Sequence, residues 1–368
     1  MPSDLTQPGL LFVPDISGFT HFVTATEVAH SQHMIQELLE TLIDANEIGL
    51  TVSEIEGDAI LFYRLGDPPT RGQFFEQIQK MFVAFHGLLR RYETQRICQC
   101  GACVGINNLT LKVVAHYGDI SENRVKEHVK LFGRDVIAVH RLLKNDIPHH
   151  EYALFTRALA NAWPASSSAA PDWSQCEQGS QEYDVGHIEF EHVPLGPLME
   201  KVPEPKLEDL SIPGASVPVF SFEQDVEAPI DFVFAVVSDL PKRLDWMMGA
   251  KRVEMLTGPY NHIGTKHRCV IDENSPVMVT TGSSRGQNAI TLTETDEKQT
   301  MCSVYTFRQD GPERTHLRVD GMRRKGFVLN IVFSLLLNKK LTHLFQESAK
   351  NLKAYCEANH RSSMNEER

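Results

Sequence analysis

The sequence is short of the features that place a protein quickly. Seven cysteines in 368 residues are few and odd in number. Without a secretory pattern they are expected as reduced thiols or ligands rather than a disulfide framework. Positive charge is in deficit, 36 Lys and Arg against 48 Asp and Glu, for a net charge of −12. That balance argues against non-specific nucleic-acid binding and against a polybasic membrane anchor. No apolar run reaches the roughly 18 residues of a spanning helix, and no leading segment joins a basic start to an apolar stretch and a small-residue cleavage site. The expectation is a cytoplasmic protein with no membrane and no nucleic-acid partner. Gly-x-Ser-x-Gly, P-loop, dinucleotide and HExxH motifs are all missing, and no internal repeat is found. What is there is globular: 42% hydrophobic and 23% charged residues, enough for a sizeable core and, at this length, for two domains. The acidity is lopsided. Residues 1–216 carry 16 Lys and Arg against 29 Asp and Glu, and residues 217–368 carry 20 against 19.

The first block, about Leu10 to Trp163, alternates strand-like and helix-like segments. Leu10 to Val13 reads as a short strand ending at Pro14-Asp15, followed by a tight turn, Ile16 to Thr20, into a helix. Met34, Ile35, Leu38, Leu39, Leu42 and Ile43 recur at three- and four-residue steps, so the segment from Glu27 to Ile48 reads as an amphipathic helix. Thr51 to Glu56 and Ala59 to Tyr63, separated by Gly57-Asp58, read as a hairpin with a type II′ turn. A second amphipathic helix carries Phe74, Phe75, Ile78, Met81, Phe82 and Phe85. Cys103 to Ile106 and Leu109 to His116 read as another hairpin, and Gly133 to Leu143 as a short helix. Pro164 to Gln181 reads as a loop, and the proline-rich stretch from Pro203 to Ser216 as the linker. The boundaries expected are 8–200 for the first domain, 201–216 for the linker and 217–360 for the second domain.

The chemistry-bearing feature is a pair of carboxylates at turns. Asp15 follows the first strand and Asp58 sits in the hairpin turn, with one helix and one strand between them. If those strands are neighbours, the two side chains converge on what Mg²⁺ prefers: hard oxygen ligands, few in number, with positions left for water and phosphate. The turn Ser17-Gly18-Phe19-Thr20 opens a helix whose backbone N–H groups could hold a phosphate. Two metals so held suit in-line displacement at phosphorus. Taken singly, each Asp reads better as an ordinary turn or cap residue, and the pairing shifts the balance only modestly.

The segment Phe12-Val-Pro-Asp15-Ile-Ser-Gly18-Phe19-Thr20, together with Glu54-Ile-Glu-Gly57-Asp58-Ala-Ile-Leu-Phe62, resembles the two metal-binding motifs of class III adenylyl and guanylyl cyclases. Gly133-Arg-Asp-Val136-Ile-Ala-Val-His-Arg141-Leu142 resembles their third motif. The likeness spans roughly residues 10–145. It implies an α+β fold with a ferredoxin-like domain of nucleotidyl-cyclase type, working as a homodimer with sites at the subunit interface. Asp15 and Asp58, with the Ile16 carbonyl, would hold two Mg²⁺ or Mn²⁺. These would activate the ribose 3′-hydroxyl of a nucleoside triphosphate for attack on the α-phosphorus. Gly18, Phe19 and Thr20 would face the nucleotide. Glu54, four positions before Asp58, is the residue of guanylyl-type enzymes, so GTP is slightly favoured; Lys130 takes the second base-reading position. Arg141 is the catalytic arginine the resemblance implies. The sequence also departs from the pattern. Ile137 stands where a ribose-orienting asparagine belongs, and no lysine lies between Lys144 and Lys201 to serve as the downstream phosphate lysine. A catalytically degenerate nucleotide or ligand sensor is therefore the alternative to an active cyclase in signal transduction.

Cys98, Cys100 and Cys103 crowd six residues, and with His116 a tetrahedral zinc site is conceivable, but core packing is the commoner fate of cysteine and zinc is not the expectation there. His149-His150 read as loop residues. From Val217 onward a strand, two short helices, six strands and a long helix from about Phe327 to Asn359 follow one another. Val226-Glu-Ala-Pro229-Ile-Asp-Phe-Val-Phe234 and Asp239 to Trp246 resemble the opening of the START and polyketide-cyclase-like (SRPBCC) superfamily. That implies a helix-grip domain, a curved antiparallel sheet around a long C-terminal helix, with an apolar cavity for a hydrophobic small molecule. Trp246, Phe307 and Phe333 would line that pocket, or equally belong to an ordinary core.

Overall fold

The computed structural model describes residues 6–24, 28–97, 101–126, 128–164, 171–205, 216–258, 260–325 and 338–366. The chain divides into two compact units, Met1–Thr94 with Cys100–Pro205, and Gln95–Gln99 with Lys206–Arg368.

The first unit runs β1 (Gln7–Ser17), α1 (Phe19–Thr24), α2 (Val28–Asp44), β2 (Thr51–Glu56), β3 (Ala59–Leu65), α3 (Arg71–Gln95), α4 (Gly101–Gly105), β4 (Thr110–Val125), β5 (His128–Phe132), α5 (Arg134–Leu142), β6 (Tyr152–Thr156), α6 (Arg157–Ala162), β7 (Glu177–Tyr183) and β8 (Gly186–Pro194). Its sheet has the order β2-β3-β1-β4-β6-β8-β7, with β5 paired to β4. The first four strands alternate in direction in the spatial order β4-β1-β3-β2, with helices after β1 and β3. This is the ferredoxin-like arrangement, extended by a parallel β4–β6 pair and the β7–β8 hairpin.

Strand β1 is central, and residues 9–16 of it are buried. Such a strand must be apolar toward both faces, which is why Leu10 to Val13 is continuous rather than alternating. Phe12 meets Phe74 of α3 edge to face at 6.1 Å. Leu11 and Val13 face the opposite layer, where Val136, Val139 and Leu142 of α5 join Val114, Leu154 and Phe190.

Three local expectations are corrected. Strand β1 does not stop at Pro14-Asp15 but continues to Ser17. Pro14 has no N–H to give, and the β1–β3 pairing has no pair at Val13 and Pro14, while the β1–β4 pairing runs unbroken from Gln7 to Ser17. Asp15 therefore lies within a strand. The segment Gly101 to Asn108 is not a strand but α4 followed by a 3-10 turn, Ile106–Asn108, with Ala102, Cys103 and Ile106 buried. Burial of these side chains overrides their strand preference. Finally, Glu177 to Gln181, expected as the end of a loop, lie in strand β7, because β8 supplies their hydrogen-bonding partner.

The second unit contains β9 (Ser216–Val226), α7 (Ile230–Ser238), α8 (Arg243–Trp246), β10 (Arg252–Met255), β11 (Lys266–Val270), β12 (Met278–Arg285), β13 (Ala289–Asp296), β14 (Met301–Gln309), β15 (Thr315–Arg324) and α9 (Asn338–Glu366). The seven strands form an antiparallel sheet, β10-β11-β12-β13-β14-β15-β9. Helix α9 packs on it through Leu352 and Cys356, and Phe345 stacks on Phe220 with ring centroids 4.5 Å apart. Ile97 belongs to the same core. The expected linker positions 206–215 and the start of the expected terminal helix, 326–337, lie outside the described residues. No described helix is long and apolar enough to cross a membrane.

Candidate functional site

The strand order makes β1 and β3 neighbours, and this brings the two carboxylates together. Asp15 is paired across the sheet with Ala59 on one side and Lys112 on the other. Asp58 occupies the β2–β3 turn, and its carbonyl accepts the Ile16 N–H at 3.0 Å. In that turn Gly57 has φ +62° and Asp58 stays on the negative side, so only the first central residue needs left-handed backbone. This is the φ pattern of a II′ turn. Asp15 is only 8% exposed, on the Leu11 and Val13 face of β1. Burial first, and the Asp15 charge second, raise the Asp58 carboxyl above its ordinary value, against the turn's own backbone and Lys112. Lys112 Nζ stands 2.8 Å from Asp15 Oδ2, with both side chains largely buried, and it also donates to the Leu143 carbonyl at 3.3 Å.

The donor set of two carboxylates and a strand-end carbonyl fits a hard divalent cation, with Lys112 already claiming one oxygen of Asp15. Lys112 was not singled out in the sequence. Its charge within the apolar run Leu111 to Ala115 is the only trace it leaves, and its meaning depends on a strand register that spacing does not reveal.

Gly18, Phe19 and Thr20 form the turn into α1. Gly18 has φ +89° and its carbonyl accepts the Phe22 N–H. The Phe19 ring reaches the hairpin turn, its Cε1 lying 3.7 Å from where a side chain on Gly57 would begin. Glu54 and Lys130 also meet, their charged atoms 3.8 Å apart, and His140 approaches Glu54 at 3.9 Å. Arg141 is engaged elsewhere. Its guanidinium forks onto Asp184, in the turn between β7 and β8, at 2.9–3.1 Å. Among the described contacts none joins it to Asp15 or Asp58. Ile137 is 47% exposed on α5.

Cys98 and Cys100 lie outside the described residues, and Cys103 is buried in α4. His116, the fourth ligand conceived for zinc, is set instead between Thr156 Oγ1 at 2.8 Å and Asp135 Oδ1 at 3.1 Å. In the second unit Trp246 and Phe307 are core residues, and Phe307 meets Phe234 edge to face at 5.5 Å. Phe333 lies outside the described residues.

Beside Trp246 the sequence conceals a buried polar triad. Arg243 bonds Glu294 at 2.6 Å and His267 Nε2 at 3.1 Å, with all three side chains 3% exposed or less. Burial works to raise the Glu294 carboxyl, but Arg243 and then His267 outweigh it and leave it below its ordinary value. Burial pushes His267 down to about 4, with Glu294 opposing and Arg243 assisting. Positions 243, 267 and 294 come from one helix and two strands, so no spacing could have linked them.

A family model described as a protein of unknown function (DUF2652) matches residues 35–152, which include Glu54, Asp58, Lys112 and Arg141 but begin after Asp15. The chain is similar to the Uncharacterized protein Rv2561/Rv2562 of Mycobacterium tuberculosis, at 37% identity over 124 residues, 34% of this chain. The matched segment spans 58% of that protein's length. Among solved structures it is similar to the adenylyl cyclase CyaB from P. aeruginosa, with 16% identity, 51% of this chain and 94% of that one covered, and a TM-score of 0.36. It is similar also to the guanylyl cyclase Cya2, with 14% identity, 52% and 93% covered, and a TM-score of 0.37.

Proposed function

We propose that the chain is a divergent class III nucleotidyl cyclase-like protein, whose first unit binds a nucleoside triphosphate with divalent cations and converts it to a 3′,5′-cyclic nucleotide and pyrophosphate. The observation that carries the reading is the meeting of Asp15 and Asp58, from motifs far apart in sequence, at the junction of β1 with the β2–β3 turn. A bound Mg²⁺ or Mn²⁺ would supply Lewis acidity toward the α-phosphate and the ribose 3′-hydroxyl. The chain's own part is to hold that cation with Asp15, Asp58 and the Ile16 carbonyl, the cation displacing Lys112 from the Asp15 oxygen it occupies in the free protein. The Gly18-Phe19-Thr20 turn offers backbone next to the same place. Glu54 is the base-reading group, favouring guanine through N1–H and N2–H₂. Val129 and Phe132 of β5, Ile55 of β2 and Ile137 of α5 are exposed apolar side chains on the elements that carry Glu54, Lys130 and Arg141, a surface suited to a second copy of the chain. The second unit, with its antiparallel sheet and long α9, is the proposed helix-grip module for a hydrophobic regulator.

A second reading, a nucleotide-binding sensor without turnover, rests on the Arg141–Asp184 fork and on Ile137. Losing one preorganised charge-stabilising donor costs about 2.7–4 kcal/mol of barrier, and two such losses reduce turnover to a trace. Purified protein incubated with Mn²⁺ or Mg²⁺ and each nucleoside triphosphate, then analysed by mass spectrometry, separates the two. Cyclic product above an Asp15→Asn/Asp58→Asn control supports the enzyme. Nucleotide binding without product supports the sensor, and neither binding nor product defeats both.

A further inference from the structure

At the far edge of the first sheet, β7 and β8 set Glu177 directly opposite His192, and the loop before β6 adds His149. One ligand atom from each of the three side chains lies within 4.8 Å of the other two. The His192 and Glu177 atoms are 3.5 Å apart, and the His149 and His192 ring centroids 6.2 Å apart. His192 is the unusual member. Its side chain is 9% exposed, yet neither ring nitrogen has a hydrogen-bond partner among the described residues. A buried imidazole with both nitrogens unmet is costly, and native structures rarely leave such groups without a purpose.

We infer that His149, Glu177 and His192 form a site for a divalent cation of borderline softness, Zn²⁺ in particular. Two imidazoles and one carboxylate are a zinc donor set, whereas Mg²⁺ and Ca²⁺ select oxygen. Bonds of about 2.0–2.1 Å in tetrahedral geometry require donor atoms about 3.3 Å apart. The needed contraction falls on His149 and Glu177, which are exposed and free to change rotamer, around the fixed His192. Three protein ligands leave the fourth position to water. This site is distinct from the Asp15 and Asp58 pair, since β4 and β6 lie between β1 and β8, and it stands whether or not the first unit is a cyclase.

The test uses the full chain stripped with chelator, titrated with Zn²⁺ by calorimetry and with Co²⁺ by visible absorption. One equivalent is expected to bind with a tetrahedral Co²⁺ spectrum free of thiolate charge transfer, apart from any ion held by the Asp15 and Asp58 pair. His149→Ala and Glu177→Gln, both at exposed positions, are each expected to weaken binding by at least about tenfold. Unchanged affinity in both variants, a thiolate band placing the metal on cysteine, or no bound metal overturns the proposal.

Discussion

Replacing Lys112 with methionine removes the cation paired with Asp15 among the described residues while keeping most of the side chain's volume. The ammonium stands 2.8 Å from the carboxylate, with the two side chains 19% and 12% exposed. Removing one partner of a fully buried ion pair costs about 3–5 kcal/mol. Residual solvent access, and the readiness of Asp58 to take a proton, reduce this to about 2–3 kcal/mol. At about 2–4 °C per kcal/mol for a unit of this size, Lys112→Met should melt about 4–12 °C lower in chelator. The same change frees an oxygen of Asp15 for a metal. A cation at a hundred times its dissociation constant returns about 2.7 kcal/mol, so Mg²⁺ should erase most of the loss and stabilise the variant more than the parent. Differential scanning calorimetry with EDTA or with Mg²⁺ reads both effects. A variant that melts with the parent in EDTA, or gains no more than the parent from Mg²⁺, refutes the picture of Lys112 and metal competing for one carboxylate.

Three further outcomes are expected. His267 has its proton affinity depressed by the fold, to about 4 from 6.5, so the unfolded chain takes up a proton first as pH falls. Stability present above pH 6.5 should drain away toward pH 4 by roughly 3 kcal/mol, and His267→Gln should flatten that slope in urea titrations. Gly321→Ala would drive its new methyl group into the Phe220 ring, where a cross-strand pair leaves no room, and should cost about 1–3 kcal/mol by thermal melting. Asp184→Asn releases half of the fork that holds Arg141, and cyclic-nucleotide output should rise; unchanged output would mean that the arginine is not what limits turnover.

Several elements of the first unit were legible because each carries its own signal: the apolar period of α2 and α3, the Gly57-Asp58 turn, the glycine before α1. Their spatial order was not, and the convergence of Asp15 and Asp58 was expected only if their strands were neighbours, which the sheet order makes them. Lys112, Asp184 and the Arg243–Glu294–His267 triad were hidden for one shared reason. Each owes its environment to a partner brought close by strand pairing or packing, and a single charged residue inside an apolar run does not announce its partner. Cys103 to Ile106 misled in the other direction: the segment is α4 and a 3-10 turn that bury Cys103 and Ile106 while Val104 stays 48% exposed, a pattern that strand preference does not foretell. His149 looked like a loop residue and is one; its interest comes from His192, 43 positions later and facing Glu177 across a hairpin whose first strand read largely as loop.

The assignment of Gln95–Gln99 to the second unit bears on how the chain can be cut. Ile97 is 1% exposed in that unit's core, and the Gln95 carbonyl accepts the Ile263 N–H at 3.0 Å. A fragment starting at Lys206 would leave a gap where Ile97 sat and a strand-edge amide unbonded. The two halves are interleaved in sequence, so they are better studied through point substitutions in the intact chain than as separately expressed pieces.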